Sequence, residues 1–256
     1  GTFRRSKKFG FVIPLDKSRR DDVFVEKRHF GGAKMGDVVV VEITRYPTRN
    51  NSAEGRVIQI VSKEGEPGGD IRALIRQSNL SKEFPDKVEQ EAEAEAALGI
   101  TEEDLKNRVD LRDKRIMTID GADSKDFDDA VSCEKMPGGN YLLGVHIADV
   151  SHYVENNGPV DQEAMKRGNS IYLLNQVVPM LPVVLSNGIC SLNPGEDRLT
   201  LTCEMEVDSR GEVVKHKIYE SVIRSRERMV YTDVSDIIED KSDDLKERYR
   251  HILEDI

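Results

Sequence analysis

Ile116-Met117-Thr118-Ile119-Asp120-Gly121-Ala122-Asp123-Ser124-Lys125-Asp126-Phe127-Asp128-Asp129-Ala130-Val131 sets four aspartates, at 120, 126, 128 and 129, between two apolar segments. Carboxylates anchored in this way cannot drift into solvent. Held close together, they raise one another's pKa and oppose folding unless a divalent cation compensates them. An all-oxygen donor set without His or Cys selects a hard ion, so the expected cofactor is Mg²⁺, with Mn²⁺ as a substitute. Such a cluster activates a water and stabilises the leaving oxygen in phosphodiester cleavage. Asp126 and Asp128 share one face of an extended segment and Asp129 opposes them, which predicts an irregular turn with Phe127 as its buried anchor.

Two other readings compete. A calcium EF-hand loop starting at Asp120 needs glycine at Lys125 and glutamate at Val131, and one starting at Asp126 needs glutamate at Pro137. Both fail. A solvated acidic loop suits Asp123, but the apolar flanks argue against it for the other four.

The chain has 256 residues, of which 38% are hydrophobic, enough for one or two buried cores and too many for a disordered tail. Its longest apolar stretch, 177–185, is nine residues broken by Pro179 and Pro182, against roughly 20 for a bilayer span, so no membrane partner is expected. Cys133, Cys190 and Cys203 are odd in number and unpaired in spacing, which speaks for a reducing cytoplasm and against a disulfide framework. The five histidines lack the spacing of a zinc site. Residue 1 is Gly, and the basic residues after it have no secretory apolar core, so the chain is expected to begin inside a longer protein.

Charge divides unevenly. Residues 1–78 hold 16 Lys and Arg against 10 Asp and Glu, or +6, and the remainder holds 22 against 38, or −16. The front part therefore suits a polyanion. Its Val- and Ile-rich runs at 8–13, 22–25, 37–43 and 55–61 predict a small closed β-barrel, followed by a turn-rich stretch and a last apolar run at 71–75. Phe9 and Phe11 stand two residues apart on one strand beside Lys8, and Phe24 lies on the next. Stacking rings interleaved with cations are how OB-type barrels hold single-stranded nucleic acid. The alternative is that these rings fill the barrel core.

Residues 79–114 read as a helical linker, with a helix over 86–98 ended by Gly99 and a capping pair at Thr101 and Asp104. Residues 115–256 predict an α+β domain with strands at 116–119, 141–147, 199–207 and 212–221 and a hairpin turn at 208–211. The fold class is α+β overall, an OB barrel followed by a mixed domain. Leu245, Tyr249, Ile252 and Ile256 form an apolar stripe with no capping residue after it, which predicts that the natural chain continues.

Thr118, Ile119 and Asp120, five residues, then Asp126-Phe127-Asp128-Asp129-Ala130 resemble the signature of the ribonuclease II and ribonuclease R family of RNB-domain exoribonucleases. The run from His146 to Tyr153, the residues Arg167, Gly168, Ser170 and Tyr172, and the segment from Pro179 through Leu185, Ser186, Asn187, Gly188, Cys190, Ser191 and Leu192 match as well. Lys8 to Val12 and Asp22 to Val25 are similar to the nucleic-acid-binding strands of cold-shock domains. The resemblance implies processive, hydrolytic 3′-to-5′ degradation of RNA from a single-stranded 3′ end. It implies that Asp120 and Asp129 are metal ligands, that Asp126 supports them, and that loss of Asp128 abolishes cleavage while sparing RNA binding. It pairs Tyr172 with the aromatic that packs the 3′-terminal nucleotide, although a Tyr between Ile171 and Leu173 also suits a core. His146 and Asp149 fall in a matching motif but suit structural hydrogen bonds and are not assigned to catalysis. The family's domain runs past residue 256 and there supplies an arginine, a glutamate and a second aromatic clamp, so this fragment is expected to bind RNA weakly and cleave poorly. A monomer associated with RNA-decay or ribosome-linked machinery completes the expected picture. The rival classes are a non-catalytic RNA-binding or chaperone module and a metal-dependent phosphomonoesterase.

Overall fold

The computed structural model describes residues 1–16, 18, 21–48, 51–78, 80–174 and 176–253. They group into two units, Gly1–Glu83 with Ile171–Val178, and Phe84–Ser170 with Pro179–Ile256.

In the first unit, β1 (Thr2–Arg5), β2 (Phe9–Ile13), β3 (Val23–Glu26), β4 (Val38–Arg45) and β5 (Ala53–Ser62) close into a barrel in the order β1-β2-β3-β5-β4. The four expected strands are present. The fifth, β1, lies in the basic run at the start of the chain, where charge hides the alternation: Phe3 turns inward and is fully buried, while Arg4 and Arg5 face solvent. Phe3 packs with Val12, Val25, Phe30, Ala33, Val39 and Val57. Gly10 lets β2 close on that core, since a Cβ there would lie 2.7 Å from the Phe3 ring. The apolar run at 71–75 forms part of helix α1 (Gly69–Gln77).

Helices α2 (Asp86–Leu98) and α3 (Glu102–Leu105) follow, the latter opened by a capping box in which Thr101 and Asp104 each accept the other's backbone N–H. Next come β6 (Val109–Asp110), β7 (Met117–Asp120), β8 (Asp129–Lys135), β9 (Tyr141–Ala148), α4 (Val150–Tyr153) and α5 (Pro159–Arg167). β10 (Ile171–Leu173) and β11 (Gln176–Val178) pair as a two-stranded sheet belonging to the first unit. β12 (Asp197–Val207), β13 (Val213–Arg224) and β14 (Glu227–Val230) complete a seven-stranded sheet of order β14-β7-β8-β9-β12-β13-β6, and α6 (Tyr231–Ile238), α7 (Asp243–Arg248) and α8 (Arg250–Leu253) follow. The β12–β13 turn is the expected one, with Gly211 at φ 82° and Asp208 Oδ1 accepting the N–H groups of Arg210 and Glu212. The stripe after Ser242 is broken: Tyr249 ends α7 and α8 starts beyond it, yet Tyr249 and Ile252 are both buried with Met117 and Met229. Ile256 lies outside the described residues.

The sheet centre is polar. Across β8, β9, β12 and β13, Ser132 Oγ lies 3.1 Å from His146 Nε2, His146 Nδ1 is 2.8 Å from Thr202 Oγ1, and Ser221 Oγ bonds the hydroxyls of Thr202 and Thr200 at 2.6 and 2.7 Å. Gly144 makes room, because a Cβ there would sit 2.5 Å from Ser132 Oγ. Both imidazole nitrogens are satisfied by hydroxyls, and among the described residues no carboxylate pairs with the ring, so its charged form gains no ion pair there. Burial first, and the nearby Lys114 second, lower the His146 pKa from 6.5 to about 4.

The unfolded chain takes up a proton near pH 6.5 that the folded chain refuses until about pH 4, so this contribution to stability is complete above that window and is lost as pH falls through it. Urea unfolding is expected to show the protein about 2 kcal/mol less stable at pH 5 than at pH 7, and His146→Gln is expected to flatten most of that slope. A slope that survives the substitution would assign it to other groups.

Candidate functional site

β7 ends on Asp120 and β8 begins on Asp129, so the eight residues 121–128 form a connection between neighbouring antiparallel strands. It is irregular, as expected. Phe127 is buried with Ile116, Ala130, Ala148, Leu192 and Ile223 and holds the loop to the core. Backbone bonds fix the flanks: Leu192 N–H donates to Phe127 O at 2.9 Å, and Ala148 N–H donates to Asp128 O at 2.8 Å.

Two side chains that the sequence did not single out as functional complete the pinning. Ser191, fully buried, accepts the Phe127 N–H and donates to Lys125 O, both at 3.0 Å, so one hydroxyl spans Asp126. Arg228 on β14 donates from Nη2 to the carbonyls of Gly121 at 2.9 Å and Ala122 at 2.6 Å, with a long contact to Ser124 O. Its guanidinium also lies 5.2 Å from the centroid of the Phe127 ring. The segment 227–230, two charged residues before two apolar ones, shows no alternation, and its partner strand is more than a hundred residues away, so only the folded sheet reveals Arg228.

Asp120 and Asp126 are half-buried, and Asp128 and Asp129 keep more solvent contact. The Asp120 carboxyl is raised, first by burial and then by Asp129, with Arg228 opposing and Asp126 and Asp128 adding to the rise. Enough protein surrounds Asp128 that burial is likewise its first cause, followed by Asp126 and Asp129. The four expected carboxylates thus lie within electrostatic reach of one another. Oδ2 of Asp120 is buried with no hydrogen-bond partner, a costly arrangement for a carboxylate and one that a cation would relieve. Oxygen-only donors, charge crowding and an orphaned oxygen suit a hard dication. Even so, among the described residues no three His, Cys, Asp or Glu side chains converge on one ion position. Strand alternation supplies a reason: Met117 pairs with Val131, which sets Asp120 on the face of Ala130 and turns Asp129 to the other.

On the barrel, Phe9, Phe11 and Phe24 form an aromatic cluster with ring centroids 5.5 to 5.8 Å apart. Phe11 and Phe24 are cross-strand partners. None belongs to the barrel core, Phe9 is 37% exposed, and Lys8 beside it faces solvent. Tyr172, on the β10–β11 hairpin, is 64% exposed and so is not a core residue. No helix among the described residues is long and apolar enough to cross a membrane.

The RNB domain profile matches residues 108–255 and the cold shock domain profile residues 11–85. Ribonuclease R of Thermotoga maritima is 49% identical over 244 residues, covering 94% of this chain and 34% of the relative. Ribonuclease R of Vibrio cholerae is 44% identical over 96% of this chain and 30% of the relative. The structure of Mycoplasma genitalium RNase R in complex with double-stranded RNA superposes with a TM-score of 0.83 at 32% identity, over 95% of this chain and 43% of that one. The chain spans about a third of the length of these curated relatives. With one profile across more than half of its residues and the acidic loop inside it, the chain belongs to the RNB-domain family of ribonuclease II and ribonuclease R.

Proposed function

We propose that this chain is part of a hydrolytic 3′-to-5′ exoribonuclease that degrades single-stranded RNA, and structured RNA with a 3′ overhang, processively to nucleoside monophosphates. The observation that carries the reading is the buried, unpartnered Oδ2 of Asp120, whose carboxyl is raised in part by Asp129, Asp126 and Asp128. In this reading Asp120, Asp126, Asp128 and Asp129 hold Mg²⁺, which when bound supplies activation of water and charge stabilisation at the phosphate. Asp120 and Asp129 are the ligands, Asp126 supports them, and Asp128 is the residue that cleavage cannot lose. Asp129, exposed and first in its strand, is the charge that most raises the Asp120 carboxyl, which supports pairing the two at one site.

Residues 1–78 act as the RNA-binding barrel, 79–114 as a linker and 115–256 as the N-terminal part of the catalytic domain. Lys8 meets phosphates, Phe9, Phe11 and Phe24 stack bases, and Tyr172 packs the 3′-terminal nucleotide. Their place outside the barrel core, with Phe9 and Tyr172 exposed and Phe11 and Phe24 half-buried, supports this. The protein acts in the cytoplasm as a monomer on RNA 3′ ends, in contact with RNA-decay or ribosome-linked machinery. A non-catalytic RNA-binding module is the second reading, favoured by the carboxylates that do not converge.

The Asp128→Asn protein separates the two. In the natural polypeptide it is expected to lose Mg²⁺-dependent nucleotide release by on the order of 100-fold or more while RNA affinity holds. Wild-type protein without metal-dependent release would leave only the binding module. On the barrel, Phe11→Ala and Phe24→Ala are each expected to weaken single-stranded RNA binding by about 1–3 kcal/mol with little change in melting temperature, as fluorescence anisotropy and thermal melts would show. A large stability loss without a loss of affinity would return these rings to a structural role.

A further inference from the structure

Four like charges in one loop repel, and Phe127 and the Ser124 N–H to Gly121 O bond hold only part of the loop against that. The other restraint comes from outside. Arg228 stands opposite Thr118 in the parallel pairing of β14 with β7, on the face that also carries Asp120 two residues along. From there a single nitrogen, Nη2, donates to Gly121 O at 2.9 Å and Ala122 O at 2.6 Å, immediately after Asp120. The carbon of the same guanidinium lies over the ring of Phe127, 5.2 Å from its centroid, and Phe127 stands between Asp126 and Asp128. One side chain therefore grips the loop at both ends and spans the distance between Asp120 and the other three carboxylates. Its Nε is buried and makes no hydrogen bond, so the group is held for what its far end does.

We propose that Arg228 is a positioning residue, which sets the separation of Asp120 from Asp126, Asp128 and Asp129 and so determines whether the loop can take a dication. The inference rests on the metal-dependent reading of this loop.

A positive charge beside a cation site has an opposing effect, and the sign of a measurement decides between them. If Arg228 acted only through charge, removing it would strengthen cation binding, because four carboxylates would lose a competitor. If it acts by geometry, removing it weakens binding. Lysine keeps the charge but carries it on a flexible stem, without the rigid guanidinium that fixes Nη2 beside Gly121 and Ala122 while facing Phe127. The Lys variant therefore isolates geometry from charge.

The test titrates Mn²⁺ into the wild-type, Arg228→Lys and Arg228→Met chains and reads free Mn²⁺ by electron paramagnetic resonance, with a thermal melt of each. Roughly tenfold weaker Mn²⁺ binding is expected in both variants, the size usual for a group that orients metal ligands. In the natural polypeptide, kcat on RNA is expected to fall by a similar factor while KM stays within about twofold. If Arg228→Met does not fold, Arg228→Lys decides alone. Unchanged Mn²⁺ affinity in Arg228→Lys, tighter binding in a folded Arg228→Met, or a rise in KM at constant kcat would overturn the assignment. A wild-type chain that binds no Mn²⁺ sinks the metal-dependent reading itself. A wild type that binds and cleaves while Arg228→Lys matches it sinks the positioning role alone.

Discussion

Holding like charges together against their own repulsion is the constraint on which the second unit turns. A loop between two strands has every reason to open when it carries four carboxylates, and its side chains offer little to close it. What closes it is backbone and neutral packing. Phe127 is buried beneath it, Ser191 bonds on both sides of Asp126, and main-chain bonds from Leu192 and Ala148 take up the carbonyls of Phe127 and Asp128. Each such bond contributes only about 1 kcal/mol net, but all of them act on the same short segment. The charges are therefore fixed in position while their side chains remain separated, as expected of a framework that sets backbone positions and leaves the last rotamer to a ligand.

Much of this was legible in the sequence, for identifiable reasons. Patterns whose two halves lie close together could be read: Thr101 with Asp104, the Asp208–Gly211 turn, the helix over 86–98 ended by Gly99, and the crowded aspartates themselves. The anchoring role of Phe127 followed from one apolar residue among four acids. What could not be read depends on partners distant in the chain. Arg228 touches residues 104 to 107 positions earlier, Ser191 reaches back 64 to 66, and both become meaningful only once β14 lies beside β7. β1 was hidden for another reason: in a strand of four with one inward ring, Arg4 and Arg5 dominate the composition while Phe3 alone carries the burial. The stripe after Ser242 placed Tyr249 and Ile252 in the core correctly, but burial at helical spacing does not require one continuous helix, and the chain turns at Tyr249.

The sheet centre and the acidic loop treat polarity in opposite ways. Around His146 every donor and acceptor finds a neutral partner, so the ring stays uncharged and the network specifies one arrangement of β8, β9, β12 and β13. At Asp120 a buried oxygen is left without one. The contrast matters because the two lie in the same sheet, which satisfies five hydroxyl and imidazole groups at its centre. Thr118 Oγ1 and Arg228 Nε, neighbours of Asp120 on β7 and β14, are buried without partners too, so the unmet groups gather at the acidic-loop edge of the sheet and not at its centre.

The charge asymmetry of the chain can be weighed in the same terms. A net −16 beyond residue 78 ought to repel a polyanion, yet at physiological salt the Debye length is about 8 Å, and acids on solvent-facing helices such as α2 are screened over most distances that matter. What a nucleic-acid strand meets at close range is local. On the barrel, in the proposed function, that means three rings and a lysine set outside a core that Phe3 and Phe30 already fill. At the acidic loop it means carboxylates that would repel a phosphate unless neutralised. The negative charge of the second unit is therefore an obstacle only where it is concentrated, and there the same concentration makes a compensating cation the natural condition for any phosphate to approach.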